Sequence, residues 1–314
     1  MTEVLSQIIK TRGEAFMEND YITRGWKYQD LDVTDIPEKY RDLRYYHTEE
    51  GAGFLDLYCP GSASSAPLIL VVSGGGWYFG RKSTSHIGQI LTVALEEGFA
   101  LASMACTSSK EKKFPWQIYE VKAAVRFLRT HAEEYGLNPN AFAFWSPSSG
   151  GHLSLMSALT CGLDEFDAPF LGYPEISAQM QAVVATYPPT DLTSFCSQFQ
   201  ELGITPLHPT QGPDCSEGLF IGAAPEENPE LARKASPLNY ITPEAPPVFL
   251  QHGCIDQVVP VTQSLNFYQK YCEIAGRNKI RLQLIEDAGH SDPRFKDRET
   301  CREICHWLRE VFPI

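Results

Sequence analysis

The chain has 314 residues, 43% hydrophobic and 21% charged, which is enough apolar material for one large core and too little charge bias for bulk disorder. Its 26 Lys and Arg against 39 Asp and Glu leave a net charge of −13, which argues against nucleic acid or an anionic membrane surface as a partner. The opening MTEVLSQIIKTRGEAFMEND lacks a basic start followed by an apolar stretch, and no window approaches the run that spans a bilayer. Nine cysteines, an odd number without a CxxC pair, read as reduced thiols, so a cytoplasmic location is expected.

Short β-branched and aromatic runs predict eight strands: Leu43–Thr48, Phe54–Tyr58, Leu68–Ser73, Ala100–Cys106, Ala141–Ser146, Val183–Tyr187, Val248–His252 and Ile280–Ile285. The first two are close enough to pair as a hairpin across EEGAG. The later intervals hold helical periodicity, predicted at His86–Glu97, Pro115–Tyr135, Gly150–Leu159, Thr262–Ala275 and Arg298–Phe312. Strands alternating with helices imply a mostly parallel α/β sheet covered on both faces. Two stretches break the alternation. Residues 1–40 precede the first strand, and residues 189–240, rich in Pro, Ser, Gly and acidic side chains, are far longer than a crossover needs. Long insertions of this kind are often lids over a site.

The chemistry concentrates where the fifth strand ends, at AFAFWSPSSGGH. A strand turning sharply into a helix presents its apex residue at the carboxyl edge of the sheet, and the crowded backbone needs small residues two positions before and after. Centring on Ser148 puts Ser146 and Gly150 at those positions. Centring on Ser149 or Ser146 puts Pro147 or Phe144 there, and both are too bulky. Ser148 is therefore the candidate nucleophile, although this stretch alone also fits a Gly/Ser-rich turn that merely packs closely.

A serine hydroxyl needs a general base, and the base an orienting acid. Asp256 follows the seventh strand in HGCIDQVVP, and His290 follows the eighth in IEDAGHSD, both just beyond strand ends. Singly, Asp256 reads as a turn cap and His290 as a loop histidine; together with Ser148, in this order at one sheet edge, they read as a catalytic set. After the third strand, VVSGGGWYFG leaves backbone N–H groups bare, and two of these with the N–H of Ser149 would make an oxyanion hole. A phosphate loop is the rival reading of the glycines, but no GxxxxGK[ST] spacing follows and Lys82 is misplaced for it. His152, one helical turn beyond Ser148, has no acid beside it and reads as structural. Cys301, Cys305 and His306 lack a fourth ligand at a zinc-like spacing and read as helix packing. No metal or organic cofactor is called for.

From about residue 40 to 314 the chain resembles the α/β-hydrolase fold, and within it the bacterial esterase/lipase families related to hormone-sensitive lipase and to feruloyl and acetyl-xylan esterases. The likeness rests on SGGGW where the family has HGGGW and on SPSSGGH where it has G-x-S-A-G-G-H. FPWQIYEVKAAVRFLRTHAEEYGLNP, YPPTDL, ASPLNYI, HGCIDQVVP and AGH extend it. It implies one α/β-hydrolase domain over 1–314, with an N-terminal arm at 1–40, a cap or lid at 189–240, and an eight-stranded sheet. It gives Ser148, Asp256 and His290 the catalytic roles and Gly75, Gly76 and Ser149 the oxyanion N–H groups. Trp77 and Tyr78, next to the glycines, are expected to line the substrate pocket. The implied activity is hydrolysis of small-molecule carboxylic esters with short-chain, aromatic acyl or acetylated-sugar groups. An arylformamide-type amide is the alternative within the class, and a ligand-binding protein on the same scaffold is the alternative outside it. Three departures stand out: Ser73 for the histidine that braces the oxyanion loop, Ser146 for the first elbow glycine, and Ala105-Cys106-Thr107 for the usual Asp-Tyr-Arg. Ser73, being shorter, is expected to hold the loop less firmly.

Overall fold

The computed structural model of the protein describes residues 29–36, 38–61 and 65–312. Among the described residues eight strands form one sheet, β1 (Glu38–Thr48), β2 (Gly51–Cys59), β3 (Ala66–Val72), β4 (Ala100–Met104), β5 (Leu137–Pro147), β6 (Ala182–Thr186), β7 (Val248–Gly253) and β8 (Ile280–Ile285). Their order is β1-β2-β4-β3-β5-β6-β7-β8. The hairpin β1–β2 and the pair β2–β4 are antiparallel, and all other pairs are parallel. All eight predicted strands are present, with ends shifted by a few residues.

The apolar runs are continuous because both faces of the sheet are covered, so alternate residues enter opposite cores. Leu68, Leu70 and Val72 of β3, with Phe142 and Phe144 of β5, face one side. There they meet α2 (Trp116–Thr130), α3 (Ser148–Leu159) and α7 (Thr262–Ile274) through Ile118, Val121, Leu155, Met156 and Phe267. Ile69 and Val71, with Ala143 and Trp145, face the other side. That side is closed by α1 (Gly88–Glu96) and α8 (Arg298–Val311) through Leu91, Val93, Ile304 and Leu308. Cys301 and Cys305 point into this second core, whereas the His306 side chain is 63% exposed, so the three do not converge. The helix predicted to run to Tyr135 ends at Thr130, and the chain then turns through Gly136 at φ +63°.

Most of the N-terminal 1–40 segment lies outside the described residues. Its described part runs beside the 83–85 loop, with Leu31 N–H donating to the Ser83 carbonyl at 3.0 Å. The 189–240 segment contains α4 (Phe195–Leu202), α5 (Ser216–Ile221) and α6 (Pro229–Lys234). Each has at most about two turns, too short to show periodicity through a Pro- and Ser-rich background. Their boundaries follow local chemistry: Gly203 and Gly222 close α4 and α5 in left-handed conformation, and Pro229 opens α6. Phe195, Phe199, Phe220 and Ile221 belong to the larger of the two cores, which ties this segment to the sheet.

Candidate active site

The turn between β5 and α3 is sharp because Ser148 takes φ +54°, a left-handed conformation rare for a residue with a Cβ. Gly150 must be glycine, since a Cβ there would lie 2.1 Å from the Val72 carbonyl oxygen. Ser146, where the elbow pattern has glycine, is accommodated by hydrogen bonds. Its Oγ accepts the Val72 N–H at 3.0 Å and the Ser154 hydroxyl at 2.9 Å. A backbone donor left over where β3 and β5 diverge is thereby paired.

Three loops converge on this turn. His290 Nδ1–H donates to Asp256 Oδ2 at 2.7 Å, and His290 Nε2 lies 3.1 Å from Ser148 Oγ. A carboxylate only accepts, so the Nδ1 proton is fixed and Nε2 is left with its lone pair toward the serine. The loop carrying His290 lies against the end of β7 because Gly253 has no side chain; a Cβ there would lie 2.2 Å from the Ala288 carbonyl oxygen. Asp256 is fully buried, and its other oxygen accepts the N–H groups of Val258 and Val259 at 2.8 and 3.0 Å. Burial alone would raise its pKa. The adjacent His290, with hydrogen bonds from His252 and His290, outweighs burial and holds the carboxyl well below the usual carboxylate range. His252, in β7 four residues before Asp256 and not singled out by sequence reasoning, has Nε2 at 2.9 Å from the Val259 carbonyl and at 3.5 Å from Asp256 Oδ2. It braces the acid's turn from below, and its place in the HG dipeptide of HGCIDQVVP was the available signal.

The glycine loop faces Ser148 from β3. Among the described residues the N–H groups of Gly75 and Gly76 have no hydrogen-bond acceptor, and Ser149, in the first turn of α3, has no helical partner for its own. The loop is held at several points. Ser73 Oγ donates to the Arg81 carbonyl at 2.9 Å and accepts the Arg81 N–H at 3.1 Å, clamping the two ends of 73–81 together. Ser73 thus does hold the glycine loop, through two hydrogen bonds across it. The Trp77 carbonyl accepts the Ser109 N–H at 3.0 Å, and the Tyr78 carbonyl accepts the Ser108 hydroxyl at 2.8 Å.

Trp77 is mostly buried, and only part of its surface borders the cavity. Its indole N–H donates to His152 Nδ1 at 3.1 Å, and its ring stacks on Phe220 at 4.8 Å. His152 in turn donates from Nε2 to the Ala235 carbonyl at 2.7 Å, and burial pushes its pKa down to about 4. Both its nitrogens are engaged and it stays neutral, as the structural reading expects. Tyr78 is half-buried, borders the cavity, and carries Lys110 over its ring at 4.8 Å.

These loops enclose a cavity of about 270 Å³ above Ser148. The 189–240 segment supplies one wall through Phe195, His208, Ser216 and Glu217, which composition alone did not single out. Burial raises the Glu217 carboxyl to about 7. Burial, then the nearby Lys296 and His290, pushes His86 down to about 4, so it adds no positive charge beside His290 at neutral pH. His208 is lowered in the same way by burial and His290. No group of His, Cys, Asp and Glu suited to a metal ion occurs among the described residues. None of the helices among them is long and apolar enough to cross a membrane.

A family model described as BD-FAE matches residues 55–271. The chain is similar to the probable carboxylic ester hydrolase LipM of Mycobacterium tuberculosis, 28% identical over 220 residues, 70% of this chain and 48% of that protein. The esterase LipQ of the same organism is 29% identical over 226 residues, 72% of this chain and 50% of LipQ. The chain thus spans about half the length of the curated relatives it matches. A truncated carbohydrate esterase from gut microbiota superposes with a TM-score of 0.79 at 24% identity, covering 90% of this chain and 99% of that one. This likeness, with the strand order above, establishes the α/β-hydrolase fold.

Proposed function

We propose that this chain, which belongs to the BD-FAE family, is a serine hydrolase that cleaves small carboxylic esters through Ser148, His290 and Asp256. One observation carries the reading: Asp256, His290 and Ser148 form a continuous hydrogen-bonded line that ends in a cavity beside unpaired backbone N–H groups.

In this reading Ser148 Oγ attacks the ester carbonyl carbon while His290 Nε2 takes the hydroxyl proton. Asp256 stays ionised and stabilises the imidazolium. The carbonyl oxygen becomes an alkoxide held by the N–H groups of Gly75, Gly76 and Ser149. Collapse breaks the carbon–oxygen bond of the leaving alcohol, which receives the proton from His290. Water, deprotonated by the same imidazole, then releases the acid and restores Ser148. The cavity volume favours a short acyl group with a compact alcohol such as an acetylated sugar over a long lipid chain. The family assignment and the similarity to LipM and LipQ support ester hydrolysis, and the carbohydrate esterase among the structural neighbours agrees with a sugar ester as substrate. The 189–240 segment serves as a fixed cap over the site.

Labelling with a fluorophosphonate, alongside hydrolysis of p-nitrophenyl acetate, tests the assignment. Wild type and Ser149→Ala should label and turn over, because Ser149 contributes a backbone N–H, whereas Ser148→Ala should do neither. Turnover by Ser148→Ala, or its loss in Ser149→Ala alone, would overturn the register of the turn.

A further inference from the structure

Tyr187 follows the last residue of β6 and is left-handed at φ +43°, which is uncommon for a bulky side chain. Its backbone N–H donates to the Gln251 carbonyl at 2.6 Å, which anchors it to β7. The ring is buried, with its centroid 4.3 Å from that of the His290 imidazole and the planes inclined at 55°. It also packs edge-on against Phe295, with centroids 5.2 Å apart. Ser291, the residue after His290, is itself left-handed at φ +64°. Two strained backbone positions therefore hold one aromatic ring against one imidazole. Strain of this kind persists only where surrounding structure over-determines it, and it gathers at functional sites.

We infer that Tyr187 is a positioning residue for His290, holding the imidazole between Asp256 and Ser148 and stabilising its protonated form through the ring face. The inference rests on the proposed serine hydrolase mechanism. His290 is neutral when substrate binds and becomes an imidazolium as Ser148 attacks. An aromatic face within about 6 Å attracts a cation far more than the neutral ring. The interaction therefore strengthens on the way to the transition state and acts on kcat, with little effect on KM. The same contact blocks the rotation that would break the Nε2 line to Ser148.

The test replaces the tyrosine in three ways and measures kcat and KM on p-nitrophenyl acetate. Tyr187→Leu removes the ring, and kcat should fall about tenfold to thirtyfold with KM within about twofold. Tyr187→Phe keeps the ring and removes only the hydroxyl, so kcat should stay within about threefold of wild type. Phenylalanines carrying one, two and three fluorines at 187 keep the ring's shape while draining its π face, and log kcat should fall with each fluorine. The fluorinated series decides the matter even if the leucine variant fails to fold. A flat series, or a loss expressed in KM alone, would overturn the inference. Wild-type protein inactive on every ester, or a Ser148→Ala variant as active as wild type, would instead overturn the hydrolase reading beneath it.

Discussion

Replacing Phe220 by Ala tests whether the 189–240 segment is part of the core or a detachable lid. Phe220 is fully buried, stacked on Trp77 at 4.8 Å and set against Phe114 and His152 at 5.5 and 5.2 Å. A Phe→Ala change at such a site costs about 3–5 kcal/mol in lost transfer energy and residual cavity. At about 2.1 cal/mol/K of unfolding entropy per residue, a chain of this size should lose about 5–8 °C in thermal midpoint. Activity should fall as well. Trp77 directly follows Gly76, so an indole without its stacking partner loosens the loop that presents the proposed oxyanion N–H groups. Such a donor is worth about 3–4 kcal/mol when well placed, and losing about 1 kcal/mol of that lowers kcat roughly fivefold. Circular dichroism melts, with initial rates on p-nitrophenyl acetate well below the midpoint, measure both effects. A midpoint within about 1 °C of wild type would refute the reasoning, because the segment would then ride over the core without being part of it.

Asp256→Asn should keep the fold, since an amide oxygen can still accept the Val258 and Val259 N–H groups, yet lose about four orders of magnitude in kcat. Its NH2 would face His290 Nδ1 and move the ring proton to the nitrogen opposite Ser148; activity within tenfold of wild type would exclude that role. Ser73→His should lower kcat, because an imidazole cannot both donate to the Arg81 carbonyl and accept its N–H in the space where Gly80 lies close to the Ser73 side chain. A folded variant with raised kcat would show the loop to be looser than its hydrogen bonds imply. Glu217 is raised from 4.5 to about 7 by burial, so between those values the folded state holds a proton that the unfolded chain has released. Stability should therefore fall as pH rises from about 4.5 to about 7, by on the order of 3 kcal/mol in total. Glu217→Gln should gain over wild type by a similar amount at pH 8 and little at pH 4, and a gap independent of pH in urea melts would contradict it.

The strands and the main helices were legible because each buries a face long enough to show its period. β3 reads LILVV since both of its faces are covered, and α2 spaces Ile118, Val121 and Val125 along one buried side. The proposed choice of Ser148 over its neighbours also comes from sequence: an apex there puts Ser146 and Gly150 two positions to either side, whereas an apex at Ser149 would put Pro147 there. The roles of the remaining residues depended on contacts between distant segments, which no local pattern encodes. Ser73 looked like a weak brace until Arg81 was found across the loop with both backbone groups turned toward it. Trp77 borders the cavity as expected, but only in part, because its indole is committed to His152, 75 positions away, and to Phe220 from the 189–240 segment. That segment looked like a loose lid because its helices are too short for a period and its turns are rich in Pro, Ser and Gly. Its anchoring comes from a few aromatic side chains entering a core assembled elsewhere. Tyr187 stood out in sequence only as the end of a strand and the start of YPPTDL, since only the tertiary structure brings the end of β6 against the loop that carries His290. A chain's own pattern records which side chains must leave water, and the pairing of those side chains across the fold decides which of them touch.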